Sequence, residues 1–246
     1  MNNKILLGLF LLLGLSIASC DSRTEAEKIV DRSIEAHGGD RYIKAQISFD
    51  FRDIHYEIFK GEASFEYSRK FEDSTGVVYD VLNNDGFRRT VNDVLIDTLT
   101  DERVGAFSRS VNSVAYFAYL PYGLNDAAAK KTYIGESELK GKNYHLIKVT
   151  FGEEGGGEDF DDIFLYWIDQ ENYFVDFIAY SYHTDGGGVR MREVSNVVEV
   201  GGIRFQNYLN LKPMDNDTPV EKMEELYISG DLELLSEINL ENIVVR

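Results

Sequence analysis

Cysteine and proline are scarce in this chain, and basic residues are fewer than acidic ones. Its 246 residues include one cysteine, Cys20, and three prolines. A lone thiol excludes an internal disulfide. With 43 acidic residues against 25 Lys and Arg, the formal net charge is −18. Such an acidic body argues against nucleic acid as a partner, because phosphate binding needs a basic surface. It also argues against direct electrostatic adhesion to anionic lipid.

The motifs of common enzyme classes are missing as well. The chain has no G-x-S-x-G, no H-E-x-x-H, no C-x-x-C and no G-x-G-x-x-G following a strand. Its histidines lie far apart in sequence, at His37, His55, His145 and His183. An enzyme is therefore not favoured and no cofactor is expected. A hydrolase whose histidines and carboxylates converge only in the folded chain stays open as an alternative.

The N-terminal segment has the pattern of an export leader. Lys4 supplies a basic start, and residues 5–15 form an apolar stretch too short for a comfortable membrane span. The stretch Ile17-Ala18-Ser19-Cys20 resembles the lipobox of bacterial lipoprotein precursors. The resemblance implies that the cysteine is lipidated and that the leader is removed before it. The alternative is an ordinary signal peptide with a chance cysteine near its cleavage site.

We therefore expect a short anchor followed by one domain. Residues 1–19 would be removed, residues 20–23 would form a polar tether, and residues 24–246 would fold as a single domain. The expected partner is a membrane, contacted through the lipid on Cys20, since several acyl chains hold a protein on a bilayer better than one. Loss of Lys4 leaves the mature body one charge more negative, and a body of this length can bury a full core.

Hydrophobic periodicity predicts a mainly β, antiparallel (α+β) fold. A helix should start at the capping box Thr24–Glu27 and stop at Gly38-Gly39. A second helical pattern runs from Val104 to Ala118, before Pro121. Most of the remaining chain has a period of two, clearest from Ala63 to Phe71, which is typical of strands with one solvated face.

Three local expectations follow from weaker patterns. The phase of the alternation slips near Asp53, which predicts a bulge or bend. Asn125-Asp126 can cap a short helical turn over residues 127–131. Residues 221–228 are interpreted as a strand.

Several stretches together resemble a known family: AYFAYLPYGLND, YHLIKVTF, DDIFLYWID and FIAYSYHTDGGGVRMREV. Over residues 24–212 the chain resembles an uncharacterised family of lipoproteins from Gram-negative bacteria. Its element order is similar to that of the LolA/LolB-like lipoprotein carriers. That similarity implies a single curved antiparallel sheet, or incomplete β-barrel, wrapped around one or two helices, with an apolar concave cavity for acyl chains. LolA-type carriers are soluble, whereas the expected anchor is a feature of LolB-type receptors.

The function expected from these patterns is that of a lipid-anchored periplasmic or cell-surface binding lipoprotein, which holds a lipid, an acylated ligand or another amphiphilic apolar ligand. The alternative is a structural or accessory lipoprotein whose cavity is filled by its own helices. The expected location is the cell envelope, with the outer membrane favoured. Asp21 leaves the choice of membrane open, because acidic residues after the lipidated cysteine direct lipoproteins to different membranes or surfaces in different bacteria.

Polar residues among the inward-facing strand positions are the candidate ligand contacts. Arg69 lies between Tyr67 and Phe71, and Arg190 and Arg192 share one face of a strand. A buried cation needs a partner, so these groups pair with internal acids, lie at the cavity mouth or bind a ligand's anionic head. The candidates are Tyr67, Arg69, His183, Arg190, Arg192 and His37. For His37, a helix-end role bonded to the last carbonyls is the simpler interpretation.

A glycine-rich acidic stretch is the one place where a metal ion can be considered. Glu158, Asp159 and Asp161 could hold calcium on a flexible loop. Their spacing is not that of an EF-hand loop, and a solvated hairpin tip is the favoured interpretation. We therefore expect no metal.

Overall fold

Over the part of the chain that the structure describes, two antiparallel sheets of seven strands each form the wall of the molecule. The computed structural model describes residues 22–43, 45–61, 63–152 and 161–246. The first sheet comprises β1 (Gln46–Phe51), β2 (Ile54–Lys60), β3 (Phe65–Asp73), β4 (Gly76–Asn83), β5 (Gly86–Val91), β6 (Val94–Leu95) and β14 (Leu240–Val245). The second comprises β7 (Ala129–Leu139), β8 (Lys142–Phe151), β9 (Ile163–Asp169), β10 (Val175–Tyr182), β11 (Gly188–Val200), β12 (Ile203–Pro213) and β13 (Leu232–Ile238).

In the described residues three α-helices accompany the sheets: α1 (Glu25–His37), α2 (Asp101–Ala118) and α3 (Met223–Ser229). The predicted capping box starts α1, since the Thr24 hydroxyl accepts from the Glu27 amide and the Glu27 carboxylate accepts from the Thr24 amide. Gly38 ends the helix with φ of 140°. A side chain at Gly38 would meet the Gly202 carbonyl oxygen at 3.0 Å, so the glycine lets the helix end approach the β11–β12 turn closely.

The two sheets are joined through the last strand pair. In strand order the first sheet is β14-β1-β2-β3-β4-β5-β6 and the second is β13-β12-β11-β10-β9-β8-β7. Only Asn239 separates β13 from β14, so the chain leaves the edge of one sheet and enters the edge of the other. The result is a curved, antiparallel wall that is not closed into a barrel, which confirms the fold class predicted from the sequence. Asn239 belongs to neither strand, so the pairing of β13 with β12 stops before it and the pairing of β14 with β1 starts after it.

Helices α1 and α2 lie inside the curve. The apolar face of α1, including Ile29 and Val30, packs on the second sheet around Tyr166 and Ile178. Helix α2 contacts both sheets. Its Val111, Ala115 and Ala118 pack against the first sheet, and its Tyr116 and Phe117 pack against the second. Burial of these apolar faces is the main driving force for the arrangement.

The opposite face of the second sheet is also buried. Helix α3 covers it, with Met223 and the preceding Val220 packed among Trp167, Phe177 and Met191. The Trp167 indole N–H donates to the Glu224 carboxylate at 2.8 Å, which ties α3 to β9. The second sheet is therefore a middle layer between α1 and α3.

Three local expectations are corrected. The phase slip near Asp53 is a hairpin turn between β1 and β2, with Arg52 at φ of 56°, rather than a bulge within one strand. Residues 127–131 are not helical, since a 3₁₀ turn occupies Tyr122–Asn125 and β7 starts at Ala129. Residues 221–228 are helical, because Val220 and Met223 face the sheet at helical spacing.

Candidate ligand-binding cleft

A cleft of about 200 Å³ opens beside the C-terminal half of α2. It lies where the β1–β2 turn and β14 of the first sheet meet strands β11 to β13 of the second. The apolar part of its lining is Phe51, Val114, Phe117, Ala118, Tyr208, Ile238 and Leu240. The polar part is Arg52, Ser113, Arg192, Gln206, Asn210 and Ser236. The cleft thus joins an apolar wall to a polar one, as ligand sites commonly do.

Strand register places the polar residues Arg192, Asn210 and Ser236 on one face of the second sheet. Arg192 lies directly opposite Asn210 of β12, and Asn210 lies opposite Ser236 of β13. Directly paired residues point to the same side of a sheet. Ile178, the β10 partner of Arg192, is buried against α1 on that same side. These side chains therefore face the interior of the curve.

Arg192 is the most buried cation of the cleft, with 9% of the residue exposed. Its guanidinium carbon lies 3.3 Å from the centre of the Phe117 ring, and its Nη2 donates to the Tyr180 hydroxyl at 3.1 Å. Its Nε has no hydrogen-bond partner, and Arg192 makes no ion pair with any described residue. The guanidinium is held by aromatic faces and one hydroxyl, without a compensating carboxylate.

The side-chain amides of Gln206 and Asn210 in the cleft differ in their hydrogen bonding. The Gln206 amide donates to the Val175 carbonyl at 2.7 Å and accepts from the Tyr208 hydroxyl at 3.0 Å. The Asn210 amide donates to the Ser236 hydroxyl at 3.2 Å, but its buried Oδ1 has no partner among the described residues. Gln206 therefore belongs to the framework, while Asn210 has a free polar atom beside Arg192.

The predicted contacts on the first sheet lie outside the cleft. Tyr67 is buried and its ring centre is 6.3 Å from that of Tyr119. The Arg69 Nη1 donates to the Ser110 hydroxyl of α2 at 2.7 Å, and its Nε donates to Asp80 at 2.7 Å. Both residues face the helix as predicted, but Arg69 is satisfied by an internal acid.

Arg190 and His183 lie near the end of β10 and do not line the cleft. Arg190 donates through Nη2 to the Tyr182 hydroxyl and through Nη1 to the Val189 carbonyl, both at 2.7 Å. His183 lies in the turn after β10, with Nδ1 at 3.5 Å from an Asp162 carboxylate oxygen and a side chain 66% exposed. The structure thus brings one of the predicted cations, Arg192, into the cleft.

His37 is fully buried at the end of α1, next to Phe174. Its Nδ1 donates to the Ser33 carbonyl at 2.8 Å, as the helix-end interpretation expects. Burial lowers the pKa of His37 to about 4, so the ring is neutral near pH 7. His37 does not line the cleft.

Sequence reasoning missed Phe117, Arg52 and Asn210. Phe117 lies off the helical stripe that ends at Ala118, and its signal was the pair Tyr116-Phe117, which adds a second apolar face to α2. A helix with two apolar faces is expected to contact two layers. Arg52 and Asn210 have no comparable signal, because only strand pairing brings them to the cleft.

The remaining predicted site residues lie at or beyond the ends of the described ranges. Cys20, Glu158 and Asp159 lie outside the described residues, and Asp161 is exposed. Within the described ranges no cluster of three or more His, Cys, Asp or Glu side chains is arranged to hold a metal ion. In the same ranges, no helix combines the length and the hydropathy that crossing a membrane requires.

A curved antiparallel wall around two helices, with a cleft beside one of them, defines a LolA-like architecture. The chain belongs to a family of unknown function, DUF6503, whose model matches residues 7–240. The crystal structure of the LolA superfamily protein NE2245 from Nitrosomonas europaea is similar, with a TM-score of 0.51 at 12% identity over 91% of this chain and 94% of that one.

A second solved structure, which aligns over a similar share of both chains, is that of a DUF1329 family protein from Desulfovibrio piger. It aligns with a TM-score of 0.44 at 8% identity over 90% of this chain and 93% of that one. No curated protein matches the chain in sequence. The family model establishes the family, and the likeness to the Nitrosomonas europaea protein establishes the fold.

Proposed function

We propose that this protein is a lipid-anchored binding lipoprotein of the cell envelope that holds the acyl chain of an amphiphile in the cleft beside α2. The observation that carries the proposal is the cleft itself. It stays open between α2 and the place where the two sheets meet, while Val111 and Ala115 of the same helix are packed against the first sheet. The fold shared with a LolA superfamily protein supports this function.

The size of the cleft limits the ligand. At about 200 Å³ it is smaller than the roughly 300–1,000 Å³ typical of drug-sized ligand sites. It therefore suits part of one acyl chain rather than a whole multi-chain lipid. A larger ligand would require α2 to move, and the N-terminal half of α2 contributes no fully buried residue before Val111.

The proposed anchor lies close to the domain. Lipidation of Cys20 after removal of residues 1–19 would leave the tether 20–23 before the single domain, and α1 begins at Glu25. A tether of a few residues would keep the domain at the bilayer surface, where it can exchange an amphiphile with the membrane. The outer membrane is the favoured location, on its periplasmic or surface face.

Photo-labelling of the full-length protein in membranes tests the binding function. A diazirine analogue of decanoic acid should label the chain saturably, and the labelled peptides should come from α2, β12 or β13. Ser113→Trp should reduce labelling strongly, because exposed Ser113 lines the cleft and an indole there would fill it. Asn112→Trp is the matched control, since Asn112 is the exposed neighbouring residue and does not line the cleft.

The alternative function predicts a different result. An accessory lipoprotein with a filled interior would show no saturable labelling of these peptides. Labelling that is equally strong in Ser113→Trp and in the control would also contradict the proposed site. Native mass spectrometry of gently purified protein would then be expected to show the protein without a co-purifying lipid.

A further inference from the structure

The charge of the cleft is opposite to that of the chain. Acidic residues outnumber Lys and Arg by 43 to 25 in the sequence. Among the described residues that line the cleft, Arg52 and Arg192 are the charged ones, and no carboxylate accompanies them. An apolar tail alone gives no reason for this arrangement, because a neutral wall would accommodate it without burying a charge.

A second buried arginine of the same fold, Arg69, shows what Arg192 lacks. Arg69, with 7% of the residue exposed, donates its Nε hydrogen bond to Asp80, whose carboxylate is fully buried. Arg192 is buried to a similar degree, yet its Nε has no acceptor. Stacking on Phe117 engages the face of the guanidinium and leaves its N–H groups to hydrogen bonds with acceptors such as anionic oxygens. The described residues supply one such acceptor, the Tyr180 hydroxyl.

A second cation lies at the rim of the cleft. Arg52 occupies the β1–β2 turn, is exposed, and has its guanidinium carbon 5.0 Å from the centre of the Phe51 ring. It makes no ion pair with any described residue. The cleft therefore has one exposed cation at its entrance and one buried cation inside, which favours attraction and then capture of an anionic group.

We propose that Arg192 is the anion-binding residue of this cleft, so that the ligand is a single-chain amphiphile with an anionic oxygen head, a carboxylate or a phosphate monoester. This inference rests on the proposed function and specifies its ligand class. The head oxygen accepts an N–H hydrogen bond from the Arg192 guanidinium, which lines the cleft and stays stacked on the Phe117 ring. The tail lies along the apolar wall that includes Val114 and Ile238.

Competition against the diazirine decanoate probe, on the full-length protein in membranes, tests the head group. Decanoate and decyl phosphate should compete, and decanol of the same chain length should compete roughly tenfold or more weakly, the loss expected for a charge-assisted hydrogen bond. Inorganic phosphate and acetate should not compete, because they lack the tail. Competition by inorganic phosphate as strong as that by decyl phosphate would overturn the amphiphile and indicate a site for a free anion.

The variant Arg192→Gln separates head-group binding from tail binding. It should weaken competition by decanoate roughly tenfold and leave labelling by a diazirine analogue of decanol unchanged, which also shows that the variant is folded. Arg204→Gln is the matched control. The Arg204 guanidinium carbon similarly lies 3.8 Å from the centre of the Phe174 ring, outside the cleft, so decanoate binding should persist.

The two proposals fail in different ways. Equal competition by decanol and decanoate, with no effect of Arg192→Gln, overturns the anionic head and leaves the acyl-chain site standing. Absence of saturable labelling by either the acid or the alcohol probe overturns the binding function itself. A loss of decanoate binding in Arg204→Gln as large as in Arg192→Gln overturns the assignment to Arg192.

Discussion

Arg69 Nε donates a hydrogen bond of 2.7 Å to the Oδ2 atom of Asp80, and both side chains are buried in the first sheet. Arg89 binds the same carboxylate through Nε at 2.6 Å and Nη2 at 2.8 Å. Strand register explains the cluster, because Asp80 lies directly opposite Arg69 on one side and Arg89 on the other. Arg69 is therefore a structural residue of the first sheet.

Removal of the Asp80 carboxylate should lower the stability of the protein. Asp80→Ala leaves two arginines without their acid, and we expect a loss of about 3–5 kcal/mol in the free energy of unfolding. Urea denaturation of the variant measures it. Asp85→Ala, in the exposed β4–β5 turn, is the control and should change stability by less than about 0.5 kcal/mol. Similar losses in the two variants would show that the cluster contributes little.

On the inner face of the first sheet, alanine substitutions should lower the stability most where the side chain is fully buried. Phe49 is fully buried and stacks on Tyr56 at 5.6 Å between ring centres, so Phe49→Ala should cost about 3–5 kcal/mol. Phe65 is only partly buried, and Phe65→Ala should cost less. Glu66→Ala, on the exposed face of β3, should change stability by less than about 0.5 kcal/mol. The reverse order in chemical denaturation would contradict this orientation of β3.

Burial of neutral His37 should make the protein less stable in mild acid. The unfolded histidine takes up a proton near pH 6.5, whereas the folded pKa is lowered to about 4 because of burial. Between these values the unfolded state binds more protons, so stability falls as the pH falls. The His37 contribution lost between pH 7 and pH 5 is about 2 kcal/mol by this linkage.

The variant His37→Gln isolates this contribution. It should be less stable than the wild type at pH 7, but it should lose less stability on going to pH 5. Denaturation at both pH values measures the two differences. His145, whose pKa is also lowered by burial, remains in both proteins and therefore cancels. An unchanged pH dependence in the variant would show that His37 does not titrate as its burial requires.

The anchor is tested by fractionation. Cys20→Ala removes the only thiol and should leave the protein unprocessed or release it from the membrane. Ser22→Ala retains the lipobox-like stretch and should behave like the wild type. If Cys20→Ala is processed and remains in the membrane fraction to the same extent, lipidation at Cys20 is refuted.

Local patterns were sufficient for much of the fold. The capping box at Thr24, the stop at Gly38 and the helix that ends at Ala118 depend on residues within a few positions of one another, and the structure has all three. The strand interpretation of residues 221–228 failed for the opposite reason. Val220 and Met223 are buried by the outer face of a sheet that is distant in sequence, and this contact selects a helix.

The arginines separate what the sequence by itself determined from what only the tertiary structure decided. Alternation in β3 and β11 determined that Arg69 and Arg192 face the interior, since the side-chain period of a strand is two. It could not determine what each one meets there. The partner of Arg69 is eleven residues away on the next strand, whereas Arg192 meets Phe117 of a helix and an open cleft. Strand register and helix packing decide this, because they bring together groups that have no fixed spacing along the chain.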